Sequence, residues 1–266
     1  MTSHVLLGKG FMAEVFVWEE GRVLKLFHAG VEPAHAEREY KATRAVYEAG
    51  LPVPACYELI EIEGRSGIVF ERVDGVSMMR YVQRKPWTTF RLTRQLAELH
   101  AHIHRCACPV ELPSQREWFA SRIEGVDLSE SEKETVRRSL AALPDGASIC
   151  HGDFHPENVL LTSRGPVVID WDSATRGHPL GDVACTSRLF RNAGLPPGVP
   201  RFMRLLVKCS RSALHRTYLK RYLQVQSGSR TQIEEWQNTI AAALGPWRVP
   251  DQRRHEKTQR QGNSIE

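Results

Sequence analysis

Short runs of alternating apolar and polar residues fill the first 75 positions. HVLLGKG (4–10), AEVFVWEEG (13–21) and RVLKLF (22–27) are rich in β-branched and aromatic residues, and Glu19-Glu20-Gly21 supplies a turn between the last two. That arrangement predicts an antiparallel hairpin. A polar, alanine-rich stretch from Glu32 to Gly50 places Tyr40, Ala45 and Val46 at helical spacing and stops at Leu51-Pro52-Val53-Pro54. It predicts a helix. The run 56–73 then reads as two strands around a turn at Gly64 to Gly67, and Asp74-Gly75 punctuates its end. About five strands and one helix are expected here.

From Ser77 the period changes to helical. TTFRLTRQLAELHAHIH (88–104) is one predicted helix, and SESEKETVRRSLAAL (129–143) is another, capped by Ser129 or Ser131. Two short apolar runs, Val159-Leu160-Leu161 and Val167-Val168-Ile169, flank a Ser-Arg-Gly-Pro turn, and the rest to about Pro250 is mostly helical. The pattern predicts a two-lobed α+β protein with a β-rich N-terminal lobe over residues 1–74 and a mostly helical lobe over 75–250. Residues 251–266 hold one apolar residue, Ile265, and predict a disordered polar tail. A ligand cleft between the lobes is the default expectation.

Composition narrows the classes. At 266 residues with 41% hydrophobic and 25% charged, the chain has enough apolar residues for a core. No apolar run approaches the roughly 18–20 residues of a membrane span, and the start has no signal-peptide pattern. The six cysteines include no CxxC pair, so reduced thiols in the cytoplasm are expected. The 36 basic residues exceed the 31 acidic ones, giving a net charge of +5. The segment from Arg201 to Ser227 holds seven Lys/Arg and no acid, so it alone exceeds that total. Phe202, Leu205, Leu206, Cys209 and Ala213 there fall on one helical face, leaving Arg201, Arg204, Lys208 and Arg211 on another. A solvated basic face is the plain reading, with contact to an anionic partner as the alternative.

The strongest chemical signal is His151-Gly152-Asp153-Phe154-His155-Pro156-Glu157-Asn158, followed by Ile169-Asp170-Trp171-Asp172. An Asp and an Asn five apart in one rigid loop can aim a carboxylate at a nucleophile and an amide oxygen at a metal. A second Asp at the end of the next strand can complete a magnesium shell. Phosphoryl transfer needs these parts. The spacing matches the kinase catalytic loop H-R-D-x-x-x-x-N, with Gly152 in place of the Arg.

HGDFHPENVLL…VVIDWD resembles the aminoglycoside phosphotransferase family of small-molecule kinases, relatives of choline kinases and protein kinases. The resemblance implies a protein-kinase-like fold and an ATP- and Mg2+-dependent transfer of phosphate to a hydroxyl of a small molecule. It implies Asp153 as catalytic base and Asn158 and Asp170 as magnesium ligands. Asp182 corresponds to a family Asp that braces the catalytic loop through its backbone. Gly8 and Gly10 correspond to the phosphate-covering loop, with Ala13 at the third glycine place, followed by a strand rather than the helix of a dinucleotide fingerprint. Lys25 on the next strand would reach the phosphates with Glu39, rather than Glu37, as its partner. The backbone C=O of Glu71 and N–H of Val73 would hold adenine. Glu157 and His178 depart from the family's usual residues.

A protein kinase is the nearest alternative, but only about a dozen residues separate Asp170 from Asp182 and no A-P-E motif follows. A nucleotide-binding regulatory or RNA-associated protein using the basic segment is another; nucleic acid is not the expected partner. His100, His102, His104, Cys106 and Cys108 invite a zinc reading. Residues two apart on a helix point to nearly opposite sides, so the five cannot converge, although His100 and His104 share a face.

Overall fold

The structure is a computed structural model that describes residues 5–108, 112–192 and 201–244, without the side chains of 191–192 and 201–208. The predicted tail (251–266) lies outside them. Five strands form one antiparallel sheet: β1 (Leu6–Lys9), β2 (Ala13–Val17), β3 (Arg22–Phe27), β4 (Cys56–Ile62) and β5 (Arg65–Glu71), in the order β1-β2-β3-β5-β4. Lys25 sits mid-sheet, opposite Val15 on one side and Ile68 on the other. Helix α1 (Pro33–Glu48) crosses the sheet between β3 and β4, with Pro33 at its first turn.

One expected turn is displaced. The β4–β5 chain reversal is at Glu63 and Gly64, both with positive φ, whereas Gly67 lies inside β5 opposite Leu26 and Ile60. Gly67 is needed for packing rather than turning: a Cβ there would lie 2.8 Å from Leu24 Cδ1.

After Glu71 the chain leaves the sheet. A two-residue strand β6 (Val76–Ser77) leads into α2 (Met78–Arg84), whose first turn is capped by the Ser77 hydroxyl. Helix α3 (Thr89–Arg105) buries Leu92, Leu96, Leu99 and Ile103 along one stripe. Each such burial is worth about 1.5–3 kcal/mol, which holds this helix as the axis of the helical part. Helices α4 (Gln115–Glu124) and α5 (Glu130–Ala142) follow. Ser129, not Ser131, caps α5 in a reciprocal box with Glu132.

Strand β7 (Ser148–Cys150) enters the HGD loop. The predicted pair of apolar runs forms the hairpin β8 (Val159–Thr162) and β9 (Gly165–Val168), with β6 on its outer edge. β10 (Thr175–Gly177) pairs back onto β7, so the segments before and after the loop are tied together. Helices α6 (Pro179–Asn192), α7 (Arg201–Val225) and α8 (Arg230–Ala243) complete the architecture. This is the expected α+β arrangement of a β-sheet followed by helices. Among the described residues no helix is long and apolar enough to cross a membrane.

The basic segment is α7, and its described part corrects one expectation. Cys209 is exposed, and the buried face runs through His215, Tyr218, Leu219 and Tyr222, while Arg216 and Lys220 face solvent. Arg221 pairs with Glu98 on α3 at 2.6 Å. The side chains of Arg201, Phe202, Arg204, Leu205, Leu206 and Lys208 lie outside the described residues.

Candidate active site

Lys25 brings the two parts of the chain together. Its Nζ lies 2.7 Å from both carboxylate oxygens of Glu39 on α1 and 2.7 Å from Oδ1 of Asp170, which follows β9. The sequence left Glu37 as the competitor of Glu39; Glu37 instead pairs with Lys41 one helical turn on. Burial works against the charge on Lys25, but Glu39 and Asp170 outweigh it and raise its pKa. Burial lifts Glu39 to about 7 against the pull of Lys25, with the Asp170 charge adding to the rise. Burial also opposes ionisation of Asp170, and Lys25 more than offsets that, leaving its pKa lowered.

Asp170 has φ 68, in the left-handed region that non-glycine residues rarely occupy. Strain of this kind collects where function needs a side chain aimed precisely. Its neighbour Trp171 is fully buried and donates Nε1–H to the Val168 carbonyl at 3.1 Å. Asp172 is pushed up by burial and then by the charge of Asp170.

The HGD loop is held from several sides. Asn158 Nδ2 donates to the Asp153 carbonyl at 3.0 Å, which turns its Oδ1 away as an available acceptor. His151 contacts the Ile169 carbonyl through Nε2 at 3.1 Å and accepts the Asp153 N–H at 3.3 Å, linking the loop to the residue before Asp170. Gly152 has φ +81, and a Cβ there would collide with the Ser173 carbonyl, so only glycine fits.

Beneath the loop, Asp182 on α6 is completely buried. Its Oδ1 accepts the Gly152 N–H at 2.9 Å, and its Oδ2 accepts the His151 N–H at 2.5 Å. His100 and His104 of α3 approach the same Oδ2 through Nε2, at 3.0 and 3.3 Å. The Tyr218 and Tyr222 hydroxyls of α7 lie 2.6 Å from the respective Nδ1 atoms. A carboxylate only accepts, so each Nε2 donates; a neutral ring then accepts at Nδ1 from the tyrosine O–H. Burial opposes the Asp182 charge, yet His100 and the other donors hold its pKa well below the ordinary carboxylate range. Burial pushes His100 down to about 4, so its ring is neutral. His100, His104 and Asp182 are close enough to surround an ion. Their facing atoms already satisfy one another and the loop backbone, which favours packing over metal.

Several partners escaped the sequence reading. His155 Nε2 lies 3.4 Å from Asp153 Oδ2, while its Nδ1 accepts the Glu157 N–H at 3.2 Å. Burial opposes protonation of His155, but Asp153 and neighbouring acids raise its pKa. Glu71 receives Arg164 from the β8–β9 turn at 2.7 Å and the Ala55 N–H at 3.2 Å. Its own N–H is donated to Ala55, while the Val73 N–H has no hydrogen bond among the described residues. Gly10 donates its N–H to Ala13 at 2.8 Å in the β1–β2 turn. A Cβ on Gly8 would meet nothing within 4 Å, so the fold itself does not demand that glycine.

A sheet facing a helical part, with a buried Lys–Glu pair on one side and an HGD…N…D constellation on the other, defines a kinase-like phosphotransferase. The sequence pattern of the phosphotransferase enzyme family (APH) matches residues 5–219, and the chain belongs to that family. Among solved structures it is similar to an aminoglycoside-3'-phosphotransferase of type VIII, at 19% identity and TM-score 0.61, covering 91% of this chain and 93% of that one. It is also similar to the amicoumacin kinase hAmiN in complex with AMP-PNP, Ca2+ and Ami, at 15% identity and TM-score 0.58, covering 97% and 86%. Among curated proteins it is 23% identical to chicken (Gallus gallus) acyl-CoA dehydrogenase family member 11, over 58% of this chain. The chain spans about a quarter, 23%, of that relative's length.

Proposed function

We propose that the protein transfers the γ-phosphate of ATP to a hydroxyl of a small molecule, with Mg2+ and with Asp153 as the base. The observation that carries this reading is the junction at Lys25, where a strand, a helix and the strand end bearing Asp170 converge within 2.7 Å. Lys25, steadied by Glu39, has the charge and the position to bind phosphate oxygens. Binding would draw it from Asp170 and release that carboxylate.

Asn158 Oδ1 and the Asp170 carboxylate form an all-oxygen donor pair, which fits magnesium, a hard ion that keeps several waters. Asp170 is 41% exposed and so accessible to it. Magnesium, when bound, would neutralise phosphate charge. Asp153, also 41% exposed, has a free path to an incoming hydroxyl. It would orient that hydroxyl and accept its proton, while His155 beside Oδ2 fixes the carboxylate. Gly8 and Gly10 would let backbone N–H groups approach the phosphates, and the Glu71 C=O and Val73 N–H would hold adenine. Residues 1–74 would then be the ATP-binding lobe and 75–250 the catalytic and acceptor lobe.

The six cysteines are free thiols, which suits the reducing cytoplasm. One assay separates this reading from a nucleotide-binding or RNA-associated protein. ATP consumption that requires Mg2+ and an added small alcohol is the expected result. Salt-sensitive RNA binding without ATP turnover overturns the reading, and turnover on peptides alone replaces it with a protein kinase.

A further inference from the structure

We infer that the surface joining α2 to α3 docks the protein on a bilayer rich in anionic lipid, as a peripheral contact and not as a span. This goes beyond the phosphotransferase reading and does not depend on it. From Gly75 to Ala97 the chain carries five basic residues (Arg80, Arg84, Lys85, Arg91 and Arg94) and no acid. That run alone has a charge of +5, as much as the whole chain. All five basic residues are exposed. Among the described residues none of them forms an ion pair, and the acids at either end are engaged elsewhere: Asp74 with Arg72 at 3.0 Å, and Glu98 with Arg221 at 2.6 Å.

The cations flank an apolar tip. A single 3₁₀ turn, Pro86–Thr88, links α2 to α3, and Trp87 on it is 77% exposed, the most exposed large hydrophobic residue among those described. Phe90, three residues on, is 49% exposed. Residues three and four apart are neighbours on a helix, so Trp87 stands next to Phe90, and Phe90 and Arg91 next to Arg94. These aromatics are not part of the core, because the buried stripe of α3 runs through Leu92, Leu96 and Leu99 instead. On the α2 side Arg80 and Arg84 share a face, and the Lys85 ammonium lies 5.1 Å from the centre of the Tyr81 ring.

Charge and shape together select the occupant. Cations without acids attract an anionic surface. An indole on a protruding turn can enter the headgroup layer, where its apolar ring and its N–H both find suitable surroundings. The flanking arginines and lysine keep their charges among the lipid phosphates while their methylene stems follow the ring inward. Neither signal suffices by itself, since stable peripheral attachment takes two. Single-stranded nucleic acid uses the same residue types but needs a groove that tracks its backbone. The exposure of Trp87 marks a tip, not a groove.

The patch is also tied to the catalytic loop. The Met79 N–H in the first turn of α2 is donated to the Pro156 carbonyl at 3.1 Å. Arg84 is five residues further, roughly 8 Å along the helix axis. A bilayer at this surface therefore holds the HGD loop close to it. The other basic surface has no such tip. In the described part of α7, Arg216 and Lys220 are exposed but no large hydrophobic residue is.

The test is flotation of the full chain with vesicles of phosphatidylcholine alone and of an equal mixture with phosphatidylserine. The expected result is at least tenfold tighter partition onto the anionic vesicles, weakened by added salt. Arg84→Gln with Lys85→Gln should reduce that partition about 30-fold, or roughly fivefold per charge. Trp87→Ala should reduce it at least fivefold. Arg216→Gln with Lys220→Gln removes the same charge from α7 and should change it less than threefold. All these side chains are exposed, so urea midpoints should match the wild type. Equal partition onto both kinds of vesicle overturns the inference. So do equal losses from the α2 and α7 pairs, since net charge alone then accounts for the binding. Tighter, Trp87-dependent binding to single-stranded RNA overturns it in favour of nucleic acid.

Discussion

Tyr218 on α7 holds His100 on α3 through a hydroxyl placed 2.6 Å from Nδ1, and the opposite ring nitrogen reaches Asp182. Tyr222 and His104 repeat the arrangement one turn further along both helices. The carboxylate at the centre carries the backbone of His151 and Gly152, so two hydroxyls on a late helix bear on where Asp153 points. The two histidines, the two tyrosines and Asp182 are all buried, so water cannot replace a missing partner among them.

Tyr218→Phe should therefore destabilise the protein by about 1–3 kcal/mol, the cost of a buried acceptor left without a donor. Urea denaturation measures the loss. Acceptor-dependent kcat should fall while the Kd for ATP stays within about twofold, since the nucleotide residues are untouched.

The same cluster sets an acid limit. His100 is held at about 4 against an ordinary 6.5, so between these values the unfolded chain binds a proton that the folded chain refuses. The stability from the neutral ring is complete above pH 6.5 and falls as pH drops toward 4, by roughly 3 kcal/mol for this one group. Asp182, whose pKa is lowered, contributes stability that is lost in still stronger acid. Denaturation midpoints between pH 7.5 and 4.5 should decline, and His100→Gln should flatten that decline. A wild-type curve that is flat across this range contradicts the assignment.

Lys25 separates structure from chemistry. Lys25→Met leaves the buried Glu39 carboxylate without its cation and should cost about 3 kcal/mol. The loss should shrink as pH falls, because protonated Glu39 needs no cation. Adding Glu39→Leu should restore most of the stability by urea melt. ATP affinity should stay low in both variants, because the phosphate-binding charge is gone.

Much of this site was legible because its parts are short and local. HGDFHPEN and IDWD each lie within one loop or strand end, and Lys25 could be placed once the β-period fixed its strand. The i, i+4 spacing of His100 and His104 announced a shared face, and the family resemblance marked Asp182 as the brace of the loop backbone, but nothing announced that these histidines meet Asp182 or that Tyr218 and Tyr222 stand behind them. Those contacts join residues 78 to 118 positions apart. They exist because α3 and α7 pack together, a fact of tertiary packing. Gly67 misled for a related reason. A glycine in a polar run reads as a turn, whereas this one makes room for the Leu24 side chain.

In the proposed mechanism Asp153 serves transfer and not nucleotide binding. The direct measurement follows γ-labelled phosphate from ATP to the active alcohol in the wild type and in Asp153→Asn, with the Kd for ATP measured alongside. The wild type should yield a labelled phosphoester. The variant should bind ATP within about twofold of the wild type, with transfer reduced by roughly 10²–10⁴. Near-normal transfer by Asp153→Asn, or a loss of ATP binding that parallels the loss of transfer, would contradict it.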